Sequence, residues 1–64
     1  MSEIIIERVK NSLGKEVKVY LLNGFRFAGK LTNFDQEHIE ILDYISKAYK
    51  LILISDIKDL EVKI

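Results

Sequence analysis

The stretch Val17-Lys-Val-Tyr-Leu-Leu-Asn23-Gly24-Phe-Arg-Phe-Ala-Gly29-Lys-Leu31 decides the fold. Val17, Val19 and Leu21 alternate with Lys18, Tyr20 and Leu22, the period of two expected of a strand with one face against a core. Asn23-Gly24, the strongest short hairpin signal, then reverses the chain. Phe25, Phe27, Gly29 and Leu31 share one face of the returning strand. A glycine in the middle of such a strand marks a sharp bend, which a small sheet needs where it curls onto itself.

Upstream of this hairpin, Ser2 is a good helix N-cap and Glu3 and Glu7 suit a first turn. Ile5, Val9 and Leu13, with Ile6, recur at helical spacing until Gly14, which predicts a short helix over about 3 to 12. Three consecutive isoleucines cover more than one stripe. With about 100° between successive residues, a helix that buries Ile5 or Ile6 leaves Ile4 pointing elsewhere. Downstream, Asn33 to Glu37 form a corner, and Ile39 and Ile41 alternate with Glu40 as a third strand. Tyr44 to Lys47 connect it to a fourth, Tyr49 to Ile54, and Ile57 to Lys63 make a fifth, with Leu60, Val62 and Ile64 on one face. In the fourth strand Leu51, Ile52, Leu53 and Ile54 point to both faces, although a five-stranded barrel has one inside. A second copy of the chain is the economical cover for the other face and for the strand edge, with an inside face plus cover from the helix as the alternative.

The composition agrees. Sixty-four residues make one small domain, which buries only about 60% of its unfolded surface and has a marginal core. There is no Cys for a disulfide or thiolate site, and the one His cannot build a zinc site. No metal or cofactor is expected, and oligomerisation is the remaining source of stability. Ile, Leu and Val number ten, eight and four, too many for a disordered chain, while the longest apolar run is too short to cross a bilayer. No charged-then-apolar signal segment opens the sequence, which points to a cytoplasmic protein. Net charge is zero, so the simplest argument for nucleic-acid binding is missing. The distribution is uneven: residues 1 to 30 carry Arg8, Lys10, Lys15, Lys18, Arg26 and Lys30 against Glu3, Glu7 and Glu16, whereas residues 31 to 46 carry Asp35, Glu37, Glu40 and Asp43 and no base.

Two catalytic readings are rejected. Gly24 to Lys30 fits the first seven positions of a phosphate-binding loop, but its residues alternate as a strand and Leu31 stands where a magnesium-binding Ser or Thr belongs. His38 and the four clustered carboxylates offer the groups for acid–base chemistry, yet a turn and an outward strand face account for them. Asp35, after Phe34 at a corner, reads as a turn-forming carboxylate accepting backbone N–H bonds. No catalytic residue is assigned.

From Val17 to Asp43 the sequence resembles the first signature of the Sm/LSm family, including its Hfq branch. The Gly-x-Leu-x-x-Phe-Asp spacing is matched by Gly29, Leu31, Phe34 and Asp35. The helix with its Asn-Ser-Leu ending and the last two strands fall where this family has them. The resemblance implies a mainly β fold, a short N-terminal helix plus a strongly bent five-stranded antiparallel Sm-like (SH3-like) barrel over residues 1 to 64. It also implies a closed homo-oligomeric ring, seven copies expected ahead of six, in which the fourth strand of one subunit pairs with the fifth of the next. Leu51, Ile52, Leu53, Ile54, Leu60 and Val62 are then the interface candidates. Apolar Ile4, with Ile5, repeated around such a ring, is the candidate surface for stacking two rings or docking a protein.

The function implied by the resemblance is non-enzymatic binding of single-stranded RNA, with bases stacked and their edges read by amides. Gln36, His38, Asp35 and Ser55 are the candidate RNA-binding residues. Gln36 is the Hfq-like choice after the Asp, and Tyr49-Lys50 is similar to Hfq's Tyr-Lys-His without the His. The sequence departs from the family's uridine pocket where Glu37, His38 and Ile39 replace His, Met and Asn, and where Ile54-Ser55 replaces Arg-Gly. A ring multiplies the nearby acids and repels phosphate, which makes Lys10, Lys15, Lys18, Arg26 and Lys30 the alternative basic surface. The rival reading is a structural or protein-interaction ring that has lost the uridine site.

Overall fold

The computed structural model describes residues 3–63; the expected N-cap Ser2 and the strand-terminal Ile64 lie outside them. Helix α1 (Glu3–Asn11) precedes five strands, β1 (Glu16–Leu21), β2 (Arg26–Phe34), β3 (His38–Asp43), β4 (Tyr49–Leu53) and β5 (Ile57–Val62). All pairings are antiparallel, in the order β4-β3-β2-β1-β5. The expected elements are all present, and β4 and β5 are the two edges of the sheet.

Alternation supplies the core. Val17 and Val19 of β1, Leu31 of β2, Ile39 and Ile41 of β3, Ile52 of β4 and Leu60 of β5 are buried together with Ile54, Ile57 and Val9 of the helix. Each such aliphatic side chain contributes about 1.5–3 kcal/mol by leaving water. Ile5 and Ile6 pack beside Val9 at the margin of this core, whereas Ile4 is 67% exposed, as its position on the helix predicts. Arg8 ties the helix to the sheet: its Nη1 donates to the Leu60 carbonyl at 2.7 Å and lies 3.3 Å from the Asp59 carboxylate.

Gly29 explains how one strand serves both halves of the sheet. A Cβ at this position would lie 2.2 Å from the Leu42 carbonyl oxygen and 2.6 Å from Ile41 Cγ2, so β2 approaches β3 more closely than any side chain allows. A register shift between Leu31 and Asn33 adds a second irregularity. There the Thr32 hydroxyl bonds both the carbonyl and the carboxylate of Glu40. Bend and bulge together curl the nine-residue strand around the core.

Three local expectations are corrected. The helix ends at Asn11, so Leu13 does not reach the core but is 52% exposed. Ser12 takes the buried place, its hydroxyl donating to the Arg8 carbonyl, and the chain turns through Gly14 at φ 82° with its N–H on the Leu31 carbonyl. The first hairpin is not a two-residue loop. Leu21 O accepts the Gly24 N–H, Leu21 N–H donates to Phe25 O, and Gly24 sits at φ 93°, which excludes Leu22 and Phe25 from the strands. The fourth strand stops at Leu53, because Ile54–Asp56 wind into one 3-10 turn that drops Ile54 into the core.

Replacing Gly29 by Ala is expected to lower stability by about 1–3 kcal/mol, the usual cost of overpacking. Gly24→Asn meets open space and places a residue that tolerates positive φ, so it should cost less. Urea denaturation of both variants measures the difference, and equal midpoints contradict this account of the bend.

Candidate functional site

The corner between β2 and β3 is built on one carboxylate. Asp35 Oδ1 accepts the N–H of Glu37 at 2.8 Å and of His38 at 2.6 Å, while the Asp35 N–H donates to the His38 carbonyl. Asp35 thus has the turn-forming role read from the sequence, and it leaves Gln36 and Glu37 exposed at the tip. The backbone bonds from Glu37 and then His38 hold its carboxyl below the ordinary carboxylate value, with the His38 imidazole 3.5 Å away adding to the effect.

The β3–β4 ladder, which ends at His38 opposite Leu53, brings a distant segment to this corner. The Ile54 N–H donates to the Glu37 carbonyl at 2.8 Å, which draws the β4–β5 connection, with exposed Ser55, beside residues 35–38. Between the corner and α1 lies a cavity of about 320 Å³ lined by Ile6, Val9, Lys10, Phe34, Asp35, Gln36 and Ile54. Its floor is aliphatic and aromatic, and its rim carries an amide, a carboxylate and an ammonium group. His38 lines a different hollow, of about 80 Å³, together with Asn33, Glu40 and Leu51. Of the four expected site residues, then, Gln36 and Asp35 share the cavity, Asp35 also borders the hollow of His38, and Ser55 is brought close through its neighbour Ile54.

Lys10 is the residue whose place at the cavity the sequence does not reveal. The sequence places it on the helix as one of the basic-surface candidates, and the structure sets that last turn of α1 at the rim of the Gln36 cavity. No spacing signal links positions 10 and 36; their meeting depends on how the helix lies across the barrel. The remaining basic candidates do not form a patch. Lys18 is opposite Glu61, Lys30 is opposite Glu16, and Arg26 is opposite Tyr20, which itself stands opposite Asp59. Lys63 Nζ is 3.4 Å from Glu16, and the Tyr20 hydroxyl donates to Glu61 at 3.0 Å, raising the phenol's pKa. Bases and acids therefore alternate across the outer face of β1, β2 and β5. Lys15 lies apart, in a hollow that Glu7 and Arg8 also line.

Asp43, the last of the clustered acids, sits at the far end of β3 from Asp35 and is 5% exposed. Its Oδ2 is 3.1 Å from Lys50 Nζ, and its Oδ1 accepts the N–H groups of Ile45 and Ser46. Lys50 first and the Ile45 N–H second hold its carboxyl below the ordinary value. The two ordered carboxylates each close a turn and do not form an acid–base pair.

The expected interface residues divide as well. Ile52, Ile54 and Leu60 are buried in the chain's own core, Val62 is half-buried, and Leu51 and Leu53 are 71% and 42% exposed. The outward members lie along the free edge of β4.

Both Asp35 and Asp43 have lowered pKa values in the folded chain. Their contribution to stability is therefore complete above the ordinary value of 3.8 and is lost as the pH falls through the lowered folded values. Thermal melts from neutral pH downward should show acid destabilisation below that value, and Asp43→Asn should flatten the dependence while lowering stability at neutral pH. A variant with the original pH profile excludes this role.

No protein-family model and no curated protein matches the chain. Among solved structures it is similar to the crystal structure of the pleiotropic translational regulator Hfq, with a TM-score of 0.80 and 24% sequence identity over 94% of this chain and 100% of that one. The helix, the strand order and the bent β2 are thus those of a known architecture: the chain has the Sm-like fold of Hfq.

Proposed function

We propose that this chain is a non-enzymatic Sm-like protein of the cytoplasm that assembles as a homo-oligomeric ring, seven copies ahead of six, and binds single-stranded RNA. The observation that carries the RNA reading is the cavity at the β2–β3 corner. Its apolar floor of Ile6, Val9, Phe34 and Ile54 offers a surface for a base, the Gln36 amide a donor and an acceptor for a base edge, and Lys10 a charge for a phosphate. Lys10 supplies the positive group that the sequence around Glu37 lacks. The likeness to a translational regulator supports the same reading.

The ring reading is supported by the free β4 and β5 edges and by exposed Leu51 and Leu53. Two complementary edges on opposite ends of one sheet pair head to tail, and such heterologous contacts close into a ring when the rotation permits. Ile4, exposed on the helix, stands as the candidate surface for stacking two rings.

A second reading is a structural or protein-interaction ring. The alternating acids and bases on the outer face of β1, β2 and β5 favour it, because a face neutralised by its own carboxylates attracts little phosphate. Oligo-U, oligo-A and mixed-sequence RNA titrated at two salt concentrations separate the two. Binding that weakens with salt is expected for the wild type. Lys10→Gln should reduce the slope of log affinity against log salt by about 0.7 for each phosphate no longer neutralised, and Gln36→Ala should reduce discrimination among bases. No binding of any of the three at low salt favours the protein-interaction ring. Light scattering should give the mass of a ring, and a monomer at micromolar concentration overturns the assembly.

A further inference from the structure

The facing of β4 is not determined by its apolar pattern. Ile52 is buried, yet Tyr49, Leu51 and Leu53 on the other side are also large and apolar, and are 65%, 71% and 42% exposed. In the observed register His38 is opposite Leu53, Glu40 opposite Leu51 and Leu42 opposite Tyr49. A slip of one residue against β3 exchanges the two faces of a strand. Here it would turn Leu51 and Leu53 inward and Ile52 outward, with little change in the kind of surface buried.

What distinguishes the two faces is Lys50, the one charged residue of β4. It shares the inward face with Ile52, its Nζ 3.1 Å from Asp43 Oδ2 and 4.6 Å from the centre of the Phe27 ring. The Asp43 side chain is 7% exposed. Its other oxygen bonds the Ile45 and Ser46 N–H groups, its own N–H donates to Ala48 O, and its carbonyl accepts the Lys47 N–H. One buried carboxylate therefore closes the β3–β4 turn with one oxygen and holds the first inward side chain of β4 with the other. In the slipped register the ammonium group leaves and the carboxylate stays buried without a counter-charge, which is strongly disfavoured.

We propose that the Asp43–Lys50 pair is the register lock of β4: it selects which of two nearly equivalent apolar faces is turned out, and so creates the Leu51–Leu53 surface that a second copy of the chain covers. The identity of that occupant rests on the ring reading; the selection of register does not. Lys50 is thus a positioning residue for the subunit surface.

Methyl NMR of Ile- and Leu-labelled protein, alongside native mass spectrometry, tests the lock. The wild type and Lys50→Arg should give one set of Ile52 and Leu51 signals. Lys50→Met should give two, the minor set at roughly one tenth or more of the intensity, with a mixture of assembly sizes. Restoring strict alternation by adding Leu51→Thr and Leu53→Thr to Lys50→Met should return a single set, because the polar outer face then fixes the register by itself. One wild-type set in Lys50→Met overturns the proposal. If Lys50→Met does not fold, the triple variant decides: a single folded set supports the lock, and failure to fold shows that Lys50 serves stability alone. The methyl signals report the register even in a monomer, so loss of the ring with one-to-two-set behaviour intact refutes the assembly and leaves the lock standing.

Discussion

The close approach of β2 to β3 at Gly29 is the constraint on which the rest of the molecule depends. With the Leu42 carbonyl where a Cβ would be, the sheet bends there sharply enough for five strands to enclose a core made of single aliphatic side chains. The strand pairing leaves β4 and β5 at the two ends of the sheet. The bend also carries β2 onward to Phe34, whose corner meets the β4–β5 connection through the Glu37–Ile54 bond. Core and candidate site both depend on that one backbone contact.

Much of this is legible in the sequence because strands announce themselves by alternation. Val17 and Val19, Leu31, Ile39 and Ile41 fall where the period of two puts them, and the glycine at position 29, in mid-strand, marks the bend. The errors lie where a local decision depends on a distant partner. Leu13 fits the helical repeat, but the Leu31 carbonyl captures the Gly14 N–H and the helix stops early. Ile54 fits an apolar strand, but the Glu37 carbonyl and the core beneath take it into a 3-10 turn. Lys10 offers no pattern at all, since its place at the cavity is set by Arg8 anchoring the helix to β5. The site is therefore legible at the Phe34-Asp35-Gln36 corner, which is local, and illegible in its helical wall, which is tertiary.

Zero net charge proves a poor guide to where charge can act. On the outer face of β1, β2 and β5 the ladder register sets Lys18 beside Glu61 and Lys30 beside Glu16, so much of the neutrality there is local. Around Asp35 and Asp43 the negative charge is drawn into turns, where backbone N–H groups and one lysine answer it. The acidic run between residues 31 and 46 consequently presents less free negative charge than its composition suggests, with Glu37 exposed at the corner.

The pairing of β1 with β5, Val17 opposite Val62, joins residues far apart in the chain. The four strands from β1 to β4 pair with their immediate neighbours in sequence, so three hairpins can form in the order of synthesis. β1 must wait. Until β5 has been made, the inner strand of the finished sheet is an exposed edge, and the helix lacks the Leu60 carbonyl to which Arg8 binds. Until then β1, like β4, is an edge open to wrong partners. Lys18 in the middle of that strand is well placed to discourage them, a charge whose use is greatest before the fold is complete.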